Sequence, residues 1–142
     1  MELLFIEVRN LTLNTCIPLN KYKDVLLKYM IIQKNKIEIN ISEIRYTLLC
    51  MNRCCLNEIG GNSIIIQNNG LELFKKKNND YGESYKTCGV IGIIVRIIDK
   101  LNRLDNLTTI HNYEVKDETY QDTLIDLHNY TLLGIMCIDN SE

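Results

Sequence analysis

The stretch RIIDKLNRLDNL (Arg96–Leu107) decides the fold, because its apolar residues recur at every third or fourth position. With the residues just before it, this stretch predicts a long helix from about Cys88 to Leu107. Its apolar side is formed by Ile91, Ile94, Ile98, Leu101 and Leu104. A second stretch, DETYQDTLIDLHNY (Asp117–Tyr130), has the same spacing and opens a last helix that runs to the C-terminus. Two long helices joined by a short polar connection predict an antiparallel pair.

The first half of the chain is less regular. Helical spacing predicts a helix over residues 20–33 and another from Ser42 that ends at Gly60-Gly61. Residues 1–10 are predicted to form a short strand or an extended docking segment, residues 37–41 a strand, and residues 64–66 a short buried strand or a loop. A short helix is predicted from Leu71 and stops at the turn sequence of residues 78–82. The expected fold is therefore a mainly α-helical bundle. Residues 1–66 are expected to form an N-terminal region of unassigned role, and residues 67–142 a helical domain.

Composition excludes several classes of protein. The 142 residues include 16 Lys and Arg against 18 Asp and Glu, so there is no basic excess to neutralise nucleic-acid phosphates. A hydrophobic content of 46% argues against disorder. The longest apolar run is too short to cross a bilayer, and the start has no basic segment of the secretory kind. Six cysteines without a CxxC spacing predict free thiols. We expect a soluble cytoplasmic protein, and the absence of Ala fits an AT-rich source such as a virus in its host cell.

Three acidic residues on the last helix predict a metal site. Glu118, Asp122 and Asp126 follow one another at intervals of four, so they lie within about 80° of the helix surface. Like charges at this spacing repel one another, and the neighbouring residues are apolar. Such carboxylates need a cation, and Mg²⁺ prefers oxygen ligands and often bridges to substrate phosphates. We therefore predict that these acids bind Mg²⁺.

Basic residues complement these acids. Arg96, Lys100 and Arg103 lie on one side of the preceding helix, where Asp99 is the carboxylate that could reach the same metal. Upstream, a lysine run that ends at Lys77 precedes a predicted turn of Asp80, Tyr81 and Gly82. Cationic side chains that face carboxylates are what a Mg²⁺–polyphosphate site requires. These residues are the predicted phosphate-binding and nucleotide-binding set.

Simpler interpretations stay open. The basic residues of one helix could pair with the acids of the next as interhelical salt bridges without a metal. The lysine run could be a solvated helix end. Nucleophilic catalysis has no signature, since there is no GxSxG motif, and Gly60-Gly61 is not followed by the residues of a phosphate-binding loop.

Three motifs in order resemble one known family. They are KKKNNDYGESY (Lys75–Tyr85), RIIDKLNRLDNL (Arg96–Leu107) and DETYQDTLIDLHNY (Asp117–Tyr130). From about residue 71 to 138 the chain resembles the nucleotide-modification-associated domain family, the first so named, of phages, bacteria and large DNA viruses. That family is similar to the all-α NTP pyrophosphatases of the MazG and dimeric dUTPase type.

The resemblance implies an activity. Those pyrophosphatases bind Mg²⁺ through acids on two antiparallel helices and release a monophosphate and pyrophosphate from a nucleoside triphosphate. Here Asp99 would stand for the acids of the first helix, and Glu118, Asp122 and Asp126 for those of the second. Arg96 stands where the family pattern ExxE places another acid. Relatives are often dimers, so a homo-oligomer is also implied.

Two functions follow as expectations. The first is a Mg²⁺-dependent (deoxy)nucleoside triphosphate pyrophosphohydrolase, or a related enzyme of nucleotide modification metabolism. The alternative is a non-catalytic nucleotide-binding or adaptor protein for a DNA-modification or nucleotide-modification enzyme. A structural protein with a salt-bridged helix pair is a third interpretation.

Overall fold

The computed structural model describes residues 2–11, 17–34, 40–81, 84–110 and 118–140. Within these ranges every regular element is helical, so the predicted mainly α-helical bundle is confirmed. The elements are α1 (Glu2–Asn10), a 3-10 turn (Leu19–Lys21), α2 (Tyr22–Lys34), α3 (Ile41–Ile59), α4 (Ser63–Tyr81), α5 (Ser84–Ile110) and α6 (Glu118–Asn140). None of the helices in these ranges has both the length and the hydropathy that a bilayer crossing needs.

The core is built around α6, which packs against both α3 and α5. Side chains from all three helices are buried, with an exposed fraction of 1% or less at Leu48, Met51, Ile97, Leu101, Leu127 and Ile135. Each buried aliphatic side chain of this size stabilises the fold by roughly 1.5–3 kcal/mol. The three helices therefore hold one another in place.

The antiparallel pair predicted for the second half is α5 and α6. The regular part of α5 begins at Val90, because Gly89 has a φ of 66° and a ψ of −167° and breaks the helix there. From that point the predicted apolar side faces inward: Ile94 and Leu101 are buried and Ile98 is half-buried. The helical periodicity thus located the packed face of α5 correctly.

The ends of α3 are set by two local signals. Asn40 caps the helix two residues before the predicted start at Ser42, since its side-chain oxygen accepts a hydrogen bond from the Glu43 amide at 3.2 Å. At the other end, Gly60 and Gly61 have φ values of 75° and 78°, which L side chains rarely adopt. The predicted stop at Gly60-Gly61 is confirmed.

The strand predictions in the first half were wrong wherever the structure describes those residues. Residues 2–10 form α1, which buries Leu4, Phe5 and Val8 at helical spacing. Residues 64–66 belong to α4, which runs without a break to Tyr81. The high isoleucine content explains the error, because β-branched residues favour strands only where the surroundings suit them. The strand predicted at 37–41 lies outside the described residues up to 39, and Ile41 opens α3.

The predicted boundary between residues 66 and 67 falls inside α4. The helix makes tertiary contacts on two successive turns, at Gln67 and at Gly70. Gln67 donates a hydrogen bond to the Phe5 carbonyl of α1 at 3.1 Å and accepts one from Arg9 at 2.6 Å. One turn later, α4 meets α6 at Gly70. The helix therefore connects the N-terminal segment to α6.

Helices α3 and α6 run antiparallel. Three contacts along their length join Arg45 to Asp139, Asn52 to Thr131 and Glu58 to Tyr120. Burial, with Glu58 beside it, raises the pKa of Tyr120 to about 12. The contacts fix the position of α6 along α3.

Arg45 clamps three helices together. Its guanidinium contacts Asp139 of α6 at 2.7 Å and Glu7 of α1 at 2.9 Å, and each carboxylate receives two hydrogen bonds. These hydrogen bonds raise the pKa of Arg45 above its usual value. Two-pronged pairs of this kind hold geometry better than single contacts do.

We predict that Arg45→Met lowers the free energy of unfolding by about 1 kcal/mol, since the contacts are partly exposed. Arg45→Lys should recover part of the loss, because an ammonium keeps the positive charge but cannot make the paired N–H contacts of a guanidinium. The matched control is Lys75→Met, whose pair with Glu72 is exposed and 4.0 Å long. Urea unfolding monitored by circular dichroism measures the differences, and equal effects of Arg45→Met and Lys75→Met would contradict the clamp.

Gly70 sits where α4 touches α6 most closely. A Cβ at this position would overlap Asn129 Oδ1 and lie 3.3 Å from His128 Cε1. Gly70 itself is buried in the helix interior. Glycine in mid-helix costs roughly 1 kcal/mol relative to alanine, so the close approach is a reason to keep it.

We predict that Gly70→Ala destabilises the protein by about 1–2 kcal/mol, because the overlap outweighs the gain in helix propensity. Asn69→Ala is the matched control, since Asn69 is exposed on the same helix and its replacement should be neutral or slightly stabilising. In an Asn129→Ala background the cost of Gly70→Ala should shrink. Stabilisation of the wild type by Gly70→Ala would show that α4 does not pack this closely.

Candidate functional site

Two polar contacts join the exposed edges of α5 and α6. Lys100 Nζ lies 3.1 Å from Asp126 Oδ2, and Arg103 Nε donates to Thr123 Oγ1 at 3.2 Å. From the first contact to the second, the residue number rises on α5 and falls on α6, so the two helices run antiparallel. We call these four residues the α5–α6 seam. Its charged groups are the ammonium of Lys100, the guanidinium of Arg103 and the carboxylate of Asp126.

The Lys100–Asp126 ion pair is half-buried. The lysine side chain is 27% exposed and the aspartate side chain 38% exposed. A pair of this exposure contributes at most about 1 kcal/mol to stability. Lys100 and Asp126 therefore form an interhelical salt bridge, which the sequence left open as an alternative to metal binding.

Among the described residues, Arg103 donates to Thr123 and keeps further N–H donors for a ligand. Thr123 is buried, and its hydroxyl donates to the Thr119 carbonyl at 2.8 Å. Its oxygen can therefore accept the hydrogen bond from Arg103 Nε. This contact uses one of the five N–H groups of the guanidinium, and Arg103 as a residue is exposed. Its remaining donors suit the oxygens of a phosphate group.

The other predicted site residues on α5 and α6 lie around the seam. Arg96, Asp99 and Asp122 are exposed, and none of them forms an ion pair with another described residue. Asp122 lies one turn before Asp126 on α6, as the spacing predicted. Among the residues that the structure describes, no three His, Cys, Asp or Glu side chains are grouped so as to hold a metal ion.

Five predicted site residues are described in part or not at all. Glu118 begins α6, and Lys77 and Asp80 belong to α4, but their side chains lie outside the described residues. Tyr81 ends α4 and has the same status, and Gly82 lies outside the described residues altogether. The turn predicted for Asp80 and Tyr81 is wrong, because α4 continues through both residues.

The sequence pattern did not predict a buried polar cluster that lies where α3 meets α6. Asn52 of α3 donates hydrogen bonds to the His128 carbonyl at 2.9 Å and to Thr131 Oγ1 at 3.0 Å. His128 Nδ1 lies 2.9 Å from Asn129 Oδ1, so in this arrangement the ring nitrogen donates. Three buried atoms of the cluster have no hydrogen-bond partner among the described residues: Asn52 Oδ1, His128 Nε2 and Asn129 Nδ2. Periodicity with Leu124 and Thr131 places His128 on the buried side, which was the available signal.

Burial sets the protonation of His128. The residue has no exposed surface, and burial lowers the pKa of its imidazole below the ordinary value, while the contact with Asn129 acts in the opposite direction. The neutral ring is therefore the form that packs in the folded protein.

Comparison with known proteins gives one match. Residues 77–138 match the model of the family described as nucleotide modification associated domain 1. The matched range contains all of α5 and all but the end of α6. Searches of the curated proteins and of the solved structures gave no match. The family resemblance inferred from the motifs is confirmed over this range, and the α5–α6 seam lies within it.

We predict that the protein loses stability as pH falls below about 6.5, the ordinary pKa of histidine. In that range the unfolded chain binds a proton at His128 and the folded chain does not, so protons favour unfolding. The contribution of His128 is fully present above this pH and declines from there toward the lowered folded-state pKa. Urea unfolding at pH 7.5 and 5.5 should show a steeper loss in the wild type than in His128→Gln. Equal losses would contradict a buried neutral histidine.

Proposed function

We propose that the α5–α6 seam binds the phosphate groups of a nucleotide and that this chain acts in nucleotide modification metabolism. The observation that carries the proposal is the alignment of Lys100 and Arg103 along one edge of α5, beside the carboxylate and hydroxyl groups of α6. The seam lies inside the range that matches a family whose description concerns nucleotide modification. A nucleotide is therefore the ligand that the matched family and the chemistry of the seam both favour.

The α5 side would contact the phosphates. Arg96, Lys100 and Arg103 are separated by four and three residues, so they follow one edge of the helix. Guanidinium groups bind phosphate oxygens through parallel N–H donors, and an ammonium supplies a point charge. Lys77 and the segment 80–82 would add contacts to the nucleotide, a role inferred from their sequence motif alone.

The finer proposal is a Mg²⁺-dependent NTP pyrophosphohydrolase, which rests on the motif similarity to the MazG and dimeric dUTPase type. Asp99, Glu118, Asp122 and Asp126 would supply carboxylate oxygens, and phosphate oxygens of the substrate would have to complete the ligand shell, because the three described acids are not grouped so as to hold a metal by themselves. Their oxygen donors suit Mg²⁺, and Asp126 already accepts one cation, the ammonium of Lys100. Bound magnesium would supply charge neutralisation at the phosphates. The chain's own basic residues would orient the triphosphate for release of a monophosphate and pyrophosphate.

A non-catalytic nucleotide-binding or adaptor protein is the second candidate. Two observations favour it: Arg96 stands where the related pattern has an acid, and Asp126 is engaged by Lys100. Both features strengthen phosphate binding relative to metal binding. In either case we propose a homo-oligomer, by analogy with the related enzymes, which light scattering on the purified protein will test.

We predict that purified protein, incubated with a panel of natural and modified (d)NTPs and Mg²⁺, yields monophosphate detectable by chromatography. Asp122→Asn should abolish that turnover and leave the helical circular dichroism signal unchanged, because Asp122 is exposed. An unchanged rate in Asp122→Asn would contradict the assignment of the acids. Binding without product would support the second candidate.

Phosphate binding has its own test. Arg103→Met should weaken nucleotide binding about 10- to 100-fold by calorimetry, because a charge-assisted contact to a phosphate contributes roughly 1.5–3 kcal/mol. Lys28→Met is the matched control, since Lys28 is an exposed residue of α2 and its replacement makes the same change in net charge. Equal effects of the two variants would show that overall charge, and not the seam, controls binding.

A further inference from the structure

We propose that Thr123 is a positioning residue, which holds the guanidinium of Arg103 so that it faces the phosphate chain of a nucleotide. Thr123 was not among the site residues that the sequence predicted. Its side chain is buried, with an exposed fraction of 2%, so it acts through Arg103 and not by its own contact with the ligand. This inference rests on the proposed function, because it concerns how the α5–α6 seam holds that ligand.

The Thr123 hydroxyl makes two contacts with different roles. It donates its hydrogen to the Thr119 carbonyl, one turn earlier on α6, at 2.8 Å. This bond satisfies the buried hydroxyl and selects one side-chain rotamer. The oxygen then accepts from Arg103 Nε of α5 at 3.2 Å. Valine has the same branched shape without the oxygen, so apolar packing alone does not require threonine at this position.

The contact decides which edge of the guanidinium a ligand meets. A guanidinium carries five N–H groups in a planar fork, one on Nε and four on its two terminal nitrogens. Thr123 engages Nε, so Arg103 presents its two terminal nitrogens as the parallel donors for phosphate oxygens. Because Arg103 is exposed, an anion can approach it from solvent.

A second basic side chain of α5 is also held from α6. Lys100 Nζ contacts Asp126 Oδ2 at 3.1 Å. Lys100 and Arg103 are three residues apart on one helix edge, where like charges repel each other. Their partners on α6 keep both cations beside the seam, separated by a rise of about 4.5 Å along α5. Two cations held in this way suit successive phosphate groups of one polyphosphate chain.

Calorimetry with inorganic triphosphate as the probe tests the role of Thr123. Thr123→Val should weaken binding about 2- to 10-fold, because an arginine that is not held in advance must be ordered when the ligand binds. Thr123→Ser keeps the oxygen and should restore most of the affinity. The matched control is Thr47→Val, since Thr47 of α3 also donates to the carbonyl four residues earlier, at 2.8 Å, and lies outside the seam. Circular dichroism establishes that each variant is folded.

Two further measurements separate positioning from a purely structural role. In an Arg103→Met background, Thr123→Val should change the affinity no further, whereas the effect of damaged packing would persist there. The NMR signal of Arg103 Nε–H reports the contact without any ligand. Thr123→Val should speed the exchange of this hydrogen with water, and Thr123→Ser should not.

The outcomes distinguish this inference from the proposed function. Equal triphosphate affinities of the wild type and Thr123→Val would overturn the inference, and so would a loss that persists in the Arg103→Met background. Either result leaves the proposed function in place when the wild type binds a dNTP. If triphosphate binding depends on Thr123 as expected and no dNTP binds, the proposed nucleotide ligand fails while the positioning of Arg103 stands.

Discussion

The packing of α6 between α3 and α5 is the constraint on which the rest of the structure depends. Because α6 is covered on these two sides, Leu127 and Ile135 are fully buried, and Asp122 is left on an exposed edge. Rotation of α6 about its axis would move apolar side chains into water at a cost of roughly 1.5–3 kcal/mol each. The positions of the seam residues therefore follow from the burial of their neighbours on the same helix.

Polar contacts add the information that apolar packing lacks. Hydrophobic surfaces tolerate sliding, whereas the hydrogen bonds of Asn52 to the His128 carbonyl and to Thr131 join one level of α3 to one level of α6. Near the N-terminus of α3, Arg45 joins the helix to Asp139 of α6 in the same way. A buried donor loses its partner when such a pair slips, at a cost of about 1–3 kcal/mol. These contacts fix the level of α6 along α3, and the contacts of Lys100 with Asp126 and of Arg103 with Thr123 relate α6 to α5.

The sequence predicted what depends on local periodicity. The inward side of α5 follows from the spacing of Ile94 and Leu101, and the end of α3 follows from Gly60. The contact of Lys100 with Asp126 was foreseen only as one of two alternatives, since helical spacing places a residue on an edge without choosing its partner. The close approach at Gly70 and the burial of Asn52 against α6 depend on residues far apart in the chain, which no short-range pattern records. The isoleucines of α4 misled the prediction because β-branched residues fit either element.

The seam unites the basic edge of α5 with the acidic edge of α6, and the proposed function requires that a nucleotide bind there. The most direct measurement is titration of ¹⁵N-labelled protein with a dNTP and Mg²⁺, followed by amide chemical shifts. Binding at the seam predicts that the largest shifts fall on residues 96–103 and 119–126, with small changes on α1 and α2. Saturating nucleotide that leaves these two stretches unchanged, or that shifts only the other helices, would contradict the claim.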